Sequence, residues 1–492
     1  MKQKIRIVCR DSVLSLYQTN LFIEKVNCLK MDYIFEIIPT KSTGDLQIDK
    51  DLSLLEGTDF FTAEIFNQLK NNYADIAIHS LKDMSASHFF SHHAFAVIDR
   101  DDYRDIAIFN NNVLDKIENN QPIIIGTCSP RRTNMVADFL KKGLPQKNCK
   151  IKIQIKPIRG NVESRINKLH NVEYDGIILA TAGLNRLLQS HIKEKLIPIL
   201  ITKKVMLLPI FTCTPAPCQG AIVVEANPNN KKMVDLLKKI NNKKLFDEVY
   251  KEKKYAQQIG EGCNQAFGVV TINQHNFSYI YVHGKNSKNE CVENWYNLPP
   301  KPKEVFSTLQ SKIKFFTKTY FVDVPIINTN SIYVSNFDAI KKIYSLMNNK
   351  HIFVAGTKSW FKLAKQGYWV NGCADELGYE SLHTLFSMPI LKMYIYDCTI
   401  ITNSDAALRW IKKGYNSIAT YQIQPTYNKK IINQIKNATA IFWLSYTQYK
   451  YYKQFVNNNT THYCLGGASA FLFKKNKIPI TIFPTKKSFL YV

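Results

Sequence analysis

The stretch PIIIGTCSPRR (Pro122–Arg132) combines a short apolar run, a turn of small polar residues and a helix start. DGIILATAGLNRL (Asp175–Leu187) repeats this arrangement, and ADIAIHS (Ala74–Ser80) is a further apolar strand with a polar tip. Strand–turn–helix units predict an α/β fold with parallel sheets, whose ligands bind beyond the carboxyl ends of the strands. Polar side chains that directly follow these strands are therefore the first candidates for a functional site.

Beyond these units, the distribution of proline-rich stretches and of further strand–turn–helix segments predicts additional domains. VMLLPIFTCTPAPCQGAIVVEAN (Val205–Asn227) is rich in proline and threonine between apolar runs, as expected of a crossover between lobes, and LPPKPKEV (Leu298–Val305) reads as a linker. Later, two pairs of strand–turn–helix segments echo each other: IYVSNFDAIKKI with IFVAGTKSWFKLAKQG, and IFWLSYTQYKYYKQF with YCLGGASAFLFKKN. The echo predicts two similar lobes in this half.

The composition limits the class of protein. The 492 residues are 45% hydrophobic and 21% charged, which is typical of a globular chain. No apolar run approaches the ~18 residues that a bilayer span needs, and MKQKIRIVCRDS begins a strand-like pattern without a signal-peptide core. The eleven cysteines, an odd number, suit a reducing compartment. We therefore expect a cytoplasmic protein that does not enter a membrane.

Arginine is scarce and unevenly placed. Of the 65 basic residues only ten are arginine, and nine of these precede residue 187. Because arginine binds a carboxylate or phosphate through two parallel hydrogen bonds, the clustering indicates recognition of such groups in the N-terminal half. The arginines fall at element ends rather than in a basic stripe with interleaved aromatic residues, so nucleic acid is not the expected ligand.

Three stretches carry candidate chemistry. IHSLKDM places Lys82 and Asp83 directly after a strand, either as a solvated ion pair or as a carboxylate that stabilises a developing cation and takes part in proton transfer. GTCSPRRTN predicts an anion cradle, in which the backbone N–H groups of a helix start, Ser129, Arg131 and Arg132 converge on one negative group. IRGNVESRINKL holds two further arginines around a Gly-Asn turn.

Residues 1 to about 295 resemble the hydroxymethylbilane synthase (porphobilinogen deaminase) family. The motifs that carry this resemblance occur in the family's order, as IRIVCRDSVLSLYQ, ADIAIHSLKD, DRDDYRD, IGTCSPRR, IRGNVESRINKL, EYDGIILATAGLNRL, PAPCQGA and GEGCNQAFG. The resemblance implies a periplasmic-binding-protein-like pair of lobes with a small third α/β domain. It also implies a dipyrromethane cofactor attached by a thioether to Cys263, onto which four porphobilinogen units are condensed with loss of ammonia.

The resemblance also implies roles for individual residues. Asp83 and Lys82 would be catalytic, with Asp83 stabilising the cationic pyrrole and azafulvene intermediates. The residues implied to hold the cofactor are Cys263, Lys82, Asp83, Ser129, Arg131, Arg132 and Gly160. Those implied to bind the acetate and propionate groups of the substrate are Arg10, Ser12, Arg159, Arg165 and Arg186. No metal is implied.

The chain departs from the family pattern at three places. The family's GGKGLF-like loop reads EGTDFF (Glu56–Phe61), with Thr58 and Asp59 where glycine and lysine are expected. Cys218 replaces a glycine in the crossover, and Cys128 stands where serine is usual. The first of these differences is expected to alter the charge or flexibility of a loop over the site.

The C-terminal half more loosely resembles uroporphyrinogen-III synthase, which closes the linear tetrapyrrole while inverting its last ring. The resemblance rests on Val354–Gly378, Ser417–Tyr427 and Tyr463–Lys475. It implies a catalytic Tyr421 and a substrate-binding Ser469. We therefore expect a two-lobed α/β synthase-like region, which would make the enzyme bifunctional, and two alternatives stay open: a deaminase with a degenerate C-terminal appendage, and a non-enzymatic two-lobed carboxylate-binding protein.

The expected partners are porphobilinogen and a linear tetrapyrrole, and a monomer is expected. The expected domains are a first lobe (1–102 and 203–222), a second lobe (103–202), a small cofactor-anchoring domain (223–297), a linker (298–330) and the synthase-like region (331–492).

Overall fold

The chain divides into two compact units. The computed structural model describes residues 3–41, 63–91, 94–146, 149–260, 266–274, 277–307, 309, 314–341, 343, 347, 350–383 and 397–491. The first unit consists of Met1–Lys141, Cys149–Thr271 and Ile280–Asn294, and the second of Lys142–Asn148, Ile272–Tyr279 and Trp295–Val492. Among the helices described, none combines the length and the apolar character that crossing a bilayer would take.

The first unit contains two main sheets with helices between the strands. Its strands are β1 (Gln3–Arg10), β2 (Tyr33–Thr40), β3 (Ile76–Ser80), β4 (Phe95–Arg100), β5 (Asp105–Phe109), β6 (Ile123–Gly126), β7 (Ile153–Lys156), β8 (Gly176–Ala180), β9 (Lys204–Leu207) and β10 (Ala221–Ala226). Its helices are α1 (Val13–Asn27), α2 (Ala63–Lys70), α3 (Ala86–Ser91), α4 (Val113–Glu118), α5 (Pro130–Gly143), α6 (Val162–His170), α7 (Thr181–Leu187), α8 (Lys193–Leu200), α9 (Lys231–Ile240) and α10 (Lys243–Ile259). The α/β class predicted from the sequence is confirmed.

The two main sheets have the same strand arrangement. The first has the order β2-β1-β3-β10-β4 and the second β7-β6-β8-β5-β9. In the first sheet β1 pairs parallel with β2 and β3, whereas β10 pairs antiparallel with β3 and β4. In the second, β6 pairs parallel with β7 and β8, whereas β5 pairs antiparallel with β8 and β9. The chain therefore crosses between the sheets twice, from β4 to β5 and from β9 to β10.

These crossings differ from the expected domain boundaries. Strand β9 lies in the second sheet, although residues from 203 were expected in the first lobe. Strand β10 and helix α9 belong to the first sheet and its core, although residues from 223 were expected in the small domain. The reason is packing: Val224 and Ala226 of β10 are fully buried, and Met233, Leu236 and Leu237 of α9 pack in the same hydrophobic cluster.

A smaller sheet follows helix α10. Its strands β11 (Ala266–Gln274), β12 (Phe277–Lys285) and β13 (Cys291–Tyr296) are neighbours in that order. The segment between α10 and β11 carries Cys263, and it lies outside the described residues, as does the loop Glu56–Phe61.

The second unit contains two more sheets. Its strands are β14 (Phe306–Ser307), β15 (Phe316–Tyr320), β16 (Ser331–Val334), β17 (His351–Val354), β18 (Gly372–Cys373), β19 (Cys398–Asn403), β20 (Ser417–Pro425), β21 (Ala440–Trp443), β22 (Thr461–Leu465) and β23 (Thr481–Phe483). Its helices are α11 (Thr357–Lys365), α12 (Ser404–Ile411), α13 (Lys429–Asn437), α14 (Tyr446–Tyr452), α15 (Ala468–Lys475) and α16 (Lys486–Tyr491).

The two sheets of this unit correspond to the two echoing pairs of the sequence. The six-stranded sheet has the order β15-β20-β19-β16-β17-β18, and the four-stranded sheet has the order β14-β21-β22-β23. The first pair of segments supplies β16 and β17, and the second supplies β21 and β22. The expected linker (298–330) also contributes structure, because β14 pairs with β21 and β15 pairs with β20. Strand β15 alternates too weakly to be recognised, since it is an edge strand whose central residues are exposed.

Candidate active site

Lys82 and Asp83 lie at the carboxyl end of strand β3. This strand is buried except at its last residue, and it leads into a single 3₁₀ turn, Leu81–Asp83. Leu81 is completely buried in a cluster with Met84 and anchors the turn from below. The Lys82 side chain is exposed and the Asp83 side chain half-buried. The turn therefore fixes its apolar residue in the core and directs its two charged residues away from it.

The surroundings of Lys82 are those of a cleft. Its side chain is accessible, yet the protein around it disfavours its charge: burial lowers the pKa of Lys82, and the adjacent Asp83 carboxylate raises it in part. Arg132 and Arg165 lower this pKa further, while Asp105 raises it. These three residues belong to the second sheet and its helices, whereas Lys82 belongs to the first. The structure thus brings the strand ends of both sheets together around Lys82.

A buried hydrogen-bond network supports strand β3. His79 of β3 donates through Nε2 to one Glu225 carboxylate oxygen at 3.1 Å, and His88 of α3 donates to the other at 3.0 Å. The Glu225 side chain is completely buried. Burial disfavours its charge, but the two histidine hydrogen bonds outweigh burial and lower the pKa of Glu225 from 4.5 to about 2. This network ties the strand before Lys82 to β10.

Arg131 and Arg132 converge on the protein's own Asp105, whereas the sequence analysis expected them to converge with Ser129 on a bound anion. Arg131 lies 2.8 Å from one Asp105 oxygen and Arg132 lies 2.9 Å from the other. Burial disfavours the charged Asp105 carboxylate, but the two guanidiniums outweigh it and hold the pKa of Asp105 below its ordinary range. Arg132 retains a buried Nε–H without an acceptor among the described residues. Ser129 caps the helix, since its hydroxyl accepts from the Arg132 N–H at 3.4 Å.

The Gly-Asn turn places Arg165 at the same cleft. Gly160 has a φ of +107°, and a Cβ there would lie 2.1 Å from the Ser164 hydroxyl, so only glycine fits this turn. The Arg165 Nε–H donates to the Gly160 carbonyl at 2.8 Å. Burial and the neighbouring Arg132 both lower the pKa of Arg165, which means that two cations face each other here. Arg159 is half-buried one residue before the turn.

The remaining predicted residues of the first unit lie at other strand and helix ends. Arg186 on α7 is buried and donates to Asp99 at 2.9 Å and to the Gly220 carbonyl at 2.7 Å. Its Nε–H has no acceptor within the described part of the chain. Arg10 ends β1 and is half-buried, and the Ser12 hydroxyl accepts from the Ser15 N–H at the start of α1.

In the second unit, Tyr421 and Ser469 belong to different sheets. Tyr421 lies in β20 and is buried, and its hydroxyl accepts from the Asn336 side-chain amide at 2.7 Å. Ser469 lies in α15 and is half-buried, and its hydroxyl accepts from the Tyr446 N–H at 3.2 Å. The described contacts do not bring these two side chains together.

The sequence analysis missed the acidic partners of the arginines. Glu252 on α10 accepts from both terminal nitrogens of Arg100 at 3.0 Å, from the Cys218 N–H at 2.7 Å and from the Thr271 N–H at 2.8 Å. Asp99 and Asp105 were also not assigned a role. The signal that could have identified Asp99 and Asp105 is DRDDYRD, an acidic run in a chain with far fewer acidic than basic residues.

Sequence comparison shows which known proteins the N-terminal half is similar to. A family model described as "Porphobilinogen deaminase, dipyromethane cofactor binding domain" matches residues 5–235. A "Probable porphobilinogen deaminase" of Saccharolobus islandicus is 37% identical over 267 residues, which cover 54% of this chain and 82% of that protein. A protein of the same name from Methanocaldococcus jannaschii is 35% identical over 270 residues, again covering 54% of this chain and 82% of the relative.

Likeness to solved structures is much weaker. The probable amino-acid ABC transporter extracellular-binding protein ytmK from Bacillus subtilis is 13% identical and aligns with 52% of this chain and 97% of its own. Its TM-score of 0.26 is too low to support an argument about fold or ligand.

Proposed function

The chain belongs to the porphobilinogen deaminase family, and on this premise we propose that it condenses porphobilinogen units on a dipyrromethane primer joined to Cys263, releasing ammonia and forming hydroxymethylbilane. When bound, the primer supplies the free pyrrole carbon to which each new unit is joined. The proposal has the protein act as a cytoplasmic monomer, with polycarboxylate small molecules and not nucleic acid or membrane as its partners.

The observation that carries this proposal is the group of cations that surrounds Lys82, beside Asp83. Lys82, Arg132 and Arg165 influence one another electrostatically across the two sheets. The buried Nε–H groups of Arg132 and Arg186 lack acceptors among the described residues. Buried donors without acceptors cost free energy, and the carboxylates of a pyrrole chain would satisfy them. The residues present therefore fit a polycarboxylate primer.

Asp83 and Lys82 would perform the chemistry. When ammonia leaves porphobilinogen, positive charge develops on the pyrrole, and a fixed carboxylate such as Asp83 stabilises that charge. Because its pKa is lowered, Lys82 gives up a proton more readily than an ordinary lysine and can deliver it to the leaving amine. Ser129, Arg131, Arg132 and Gly160 would hold the primer, and Arg10, Ser12, Arg159, Arg165 and Arg186 the substrate carboxylates.

The mass of the intact protein tests covalent attachment. The wild type and a Cys28→Ser control, which changes an exposed thiol, should both carry the mass of a dipyrromethane, and Cys263→Ser should not. An unmodified wild-type chain that binds anions reversibly would instead support the two-lobed carboxylate-binding protein.

The Asp83 carboxylate is tested by turnover. Asp83→Asn should lower kcat by about 100-fold or more, as expected when a group that stabilises transition-state charge is lost. The matched control is Asp115→Asn, which changes an exposed carboxylate on α4. Equal turnover in the two variants would contradict the role of Asp83.

For the C-terminal half we propose uroporphyrinogen-III synthase activity. The supporting observation is the position of Tyr421 on β20, whose hydroxyl accepts from Asn336, a residue just after the end of β16 and two strands away in the same sheet. Purified protein supplied with porphobilinogen should yield uroporphyrin III after oxidation. Uroporphyrin I would instead support a deaminase with an inactive C-terminal appendage.

A further inference from the structure

Arg409 differs from the carboxylate-paired arginines of the first unit. Several arginines of the first unit are paired with carboxylates, including Arg100 with Glu252 and Arg186 with Asp99. Arg409 is the last of the ten arginines and the only one after residue 186. It lies on α12, half-buried, and within the described part of the chain it forms no hydrogen bond and no ion pair. Burial lowers the pKa of Arg409 and Asp405 offsets this only in part, without forming an ion pair with the guanidinium.

The surroundings of Arg409 combine helices of both sheets in the second unit. Asp405 precedes it by one turn on α12, and Tyr446 and Tyr451 on α14 are its other electrostatic neighbours. The Tyr451 hydroxyl donates to Asp405 at 3.2 Å, which holds α14 against α12. Helix α12 follows a strand of the six-stranded sheet, and α14 follows a strand of the four-stranded sheet. Arg409 therefore lies where the two sheets' helices meet.

Both candidate residues of the proposed synthase contact the first residues of the helices that surround Arg409. The Ser469 hydroxyl accepts from the Tyr446 N–H at 3.2 Å, at the start of α14. On the other side, the Ser404 hydroxyl at the start of α12 donates to the Tyr421 carbonyl at 3.3 Å. Arg409 follows Ser404 by five residues, about 7.5 Å along the helix axis. Helices α12 and α14 therefore link the strand that carries Tyr421 to the helix that carries Ser469.

We propose that Arg409 binds a carboxylate side chain of the linear tetrapyrrole in the second unit, beside Tyr446 and Ser469. This inference rests on the proposed cyclisation of hydroxymethylbilane and names a residue that recognises its substrate. Two parallel N–H···O bonds from the guanidinium would fix one acetate or propionate arm and so help to set the orientation of the chain before ring closure. In a chain that otherwise uses lysine, the planar fork explains why arginine stands here.

Binding can be measured separately from activity. All five tryptophans, at positions 295, 360, 369, 410 and 443, belong to the second unit, so quenching of tryptophan emission by uroporphyrin III reports binding there. The full-length protein is compared with Arg409→Gln, Arg409→Lys and a matched control, Lys412→Gln, which changes an exposed charge on the next turn. Arg409→Gln should raise Kd about 10- to 100-fold, Arg409→Lys less, and Lys412→Gln hardly at all.

The outcomes separate this proposal from the proposed synthase. If the wild type produces uroporphyrin III and Arg409→Gln raises the KM for hydroxymethylbilane with little change in kcat, both stand. If Arg409→Gln and Arg409→Lys bind uroporphyrin III as tightly as the wild type does, the Arg409 proposal is overturned, whatever the product. If the wild type produces only uroporphyrin I while uroporphyrin III binding still depends on Arg409, cyclisation fails and the carboxylate site remains. Arg409→Lys keeps a cation in place should the glutamine variant not fold.

Discussion

Glu252→Gln should destabilise the first unit far more than any surface change. The Glu252 carboxylate is completely buried and accepts four hydrogen bonds, two of them from Arg100, whose side chain is 3% exposed. Burial disfavours the charge of Arg100, but the pairing with Glu252 outweighs it and raises the pKa of Arg100 above its ordinary value. Glutamine keeps the shape but removes the counter-charge and turns one acceptor into a donor.

The expected loss is about 3–5 kcal/mol, the range found when one partner of a buried ion pair is removed. The matched control is Glu248→Gln, one turn earlier on α10. Its carboxylate lies 3.7 Å from Arg100, beyond hydrogen-bond distance, so its loss should cost clearly less than the loss of Glu252, about 1 kcal/mol.

The assay is amide hydrogen exchange in peptides that contain Cys218 and Thr271, whose N–H groups donate to Glu252. A loss of about 3 kcal/mol corresponds to exchange about 100-fold faster in these peptides. Tryptophan emission, which arises only in the second unit, serves as the internal reference. At any given urea concentration it should be the same in Glu252→Gln and in the wild type. Exchange rates in Glu252→Gln that equal those in Glu248→Gln would refute the reasoning.

Three further predictions concern the same unit. Cys218 is buried and has a φ of +60°. Cys218→Gly therefore relieves about 1 kcal/mol of backbone strain, whereas Cys218→Ala retains it. Thermal unfolding should show that the alanine variant is less stable than the glycine variant. Asp105→Asn should lower the free energy of unfolding, measured by urea titration, by about 3–5 kcal/mol, because Asp105 compensates two buried guanidiniums. Asp99→Asn should lower it by about 1 kcal/mol, because the Asp99 side chain is 41% exposed. Similar losses in the two variants would count against Asp105 as a shared counter-ion. Because the pKa of Glu225 is lowered from 4.5 to about 2, its pairing with the histidines contributes about 3 kcal/mol to the free energy of unfolding. This contribution is fully present above pH 4.5 and is lost as the pH falls toward 2. In an acid titration, Glu225→Gln should not show this loss.

The strand–turn–helix pattern was sufficient to predict the principal elements. Lys4–Arg10, Ala74–Ser80 and Asp175–Leu187 all fold as expected, because apolar runs bounded by small polar residues carry their own local signal. The position of β10 could not be predicted in this way. It pairs with β3, which lies more than a hundred residues earlier, and local sequence does not encode such a pairing.

Some features of the candidate site were likewise predictable from the sequence and others were not. The motifs that follow predicted strands included Lys82, Arg132 and Arg165 among the candidates, and in the structure both arginines lie close enough to Lys82 to lower its pKa. Strand ends alone could not predict this proximity, because Lys82 belongs to one sheet and the two arginines to helices of the other. The partner of Arg131 and Arg132 was not predictable, because Asp105 reaches them only through an antiparallel strand inserted from the other side of the sheet. Cys263 lies outside the described residues, so its assignment remains a prediction.

The two crossings between the main sheets are themselves bonded together. Gln219, in the second crossing, donates through Nε2 to the Tyr103 carbonyl at 2.7 Å and to Asp105 at 2.9 Å, both at the first crossing. Because two crossings that are hydrogen-bonded to each other resist shear and twist more than one crossing would, we expect relative motion of the two sheets to be mainly an opening about this pair of crossings. If a pyrrole chain grows between the sheets as proposed, the extent of that opening would then limit its length.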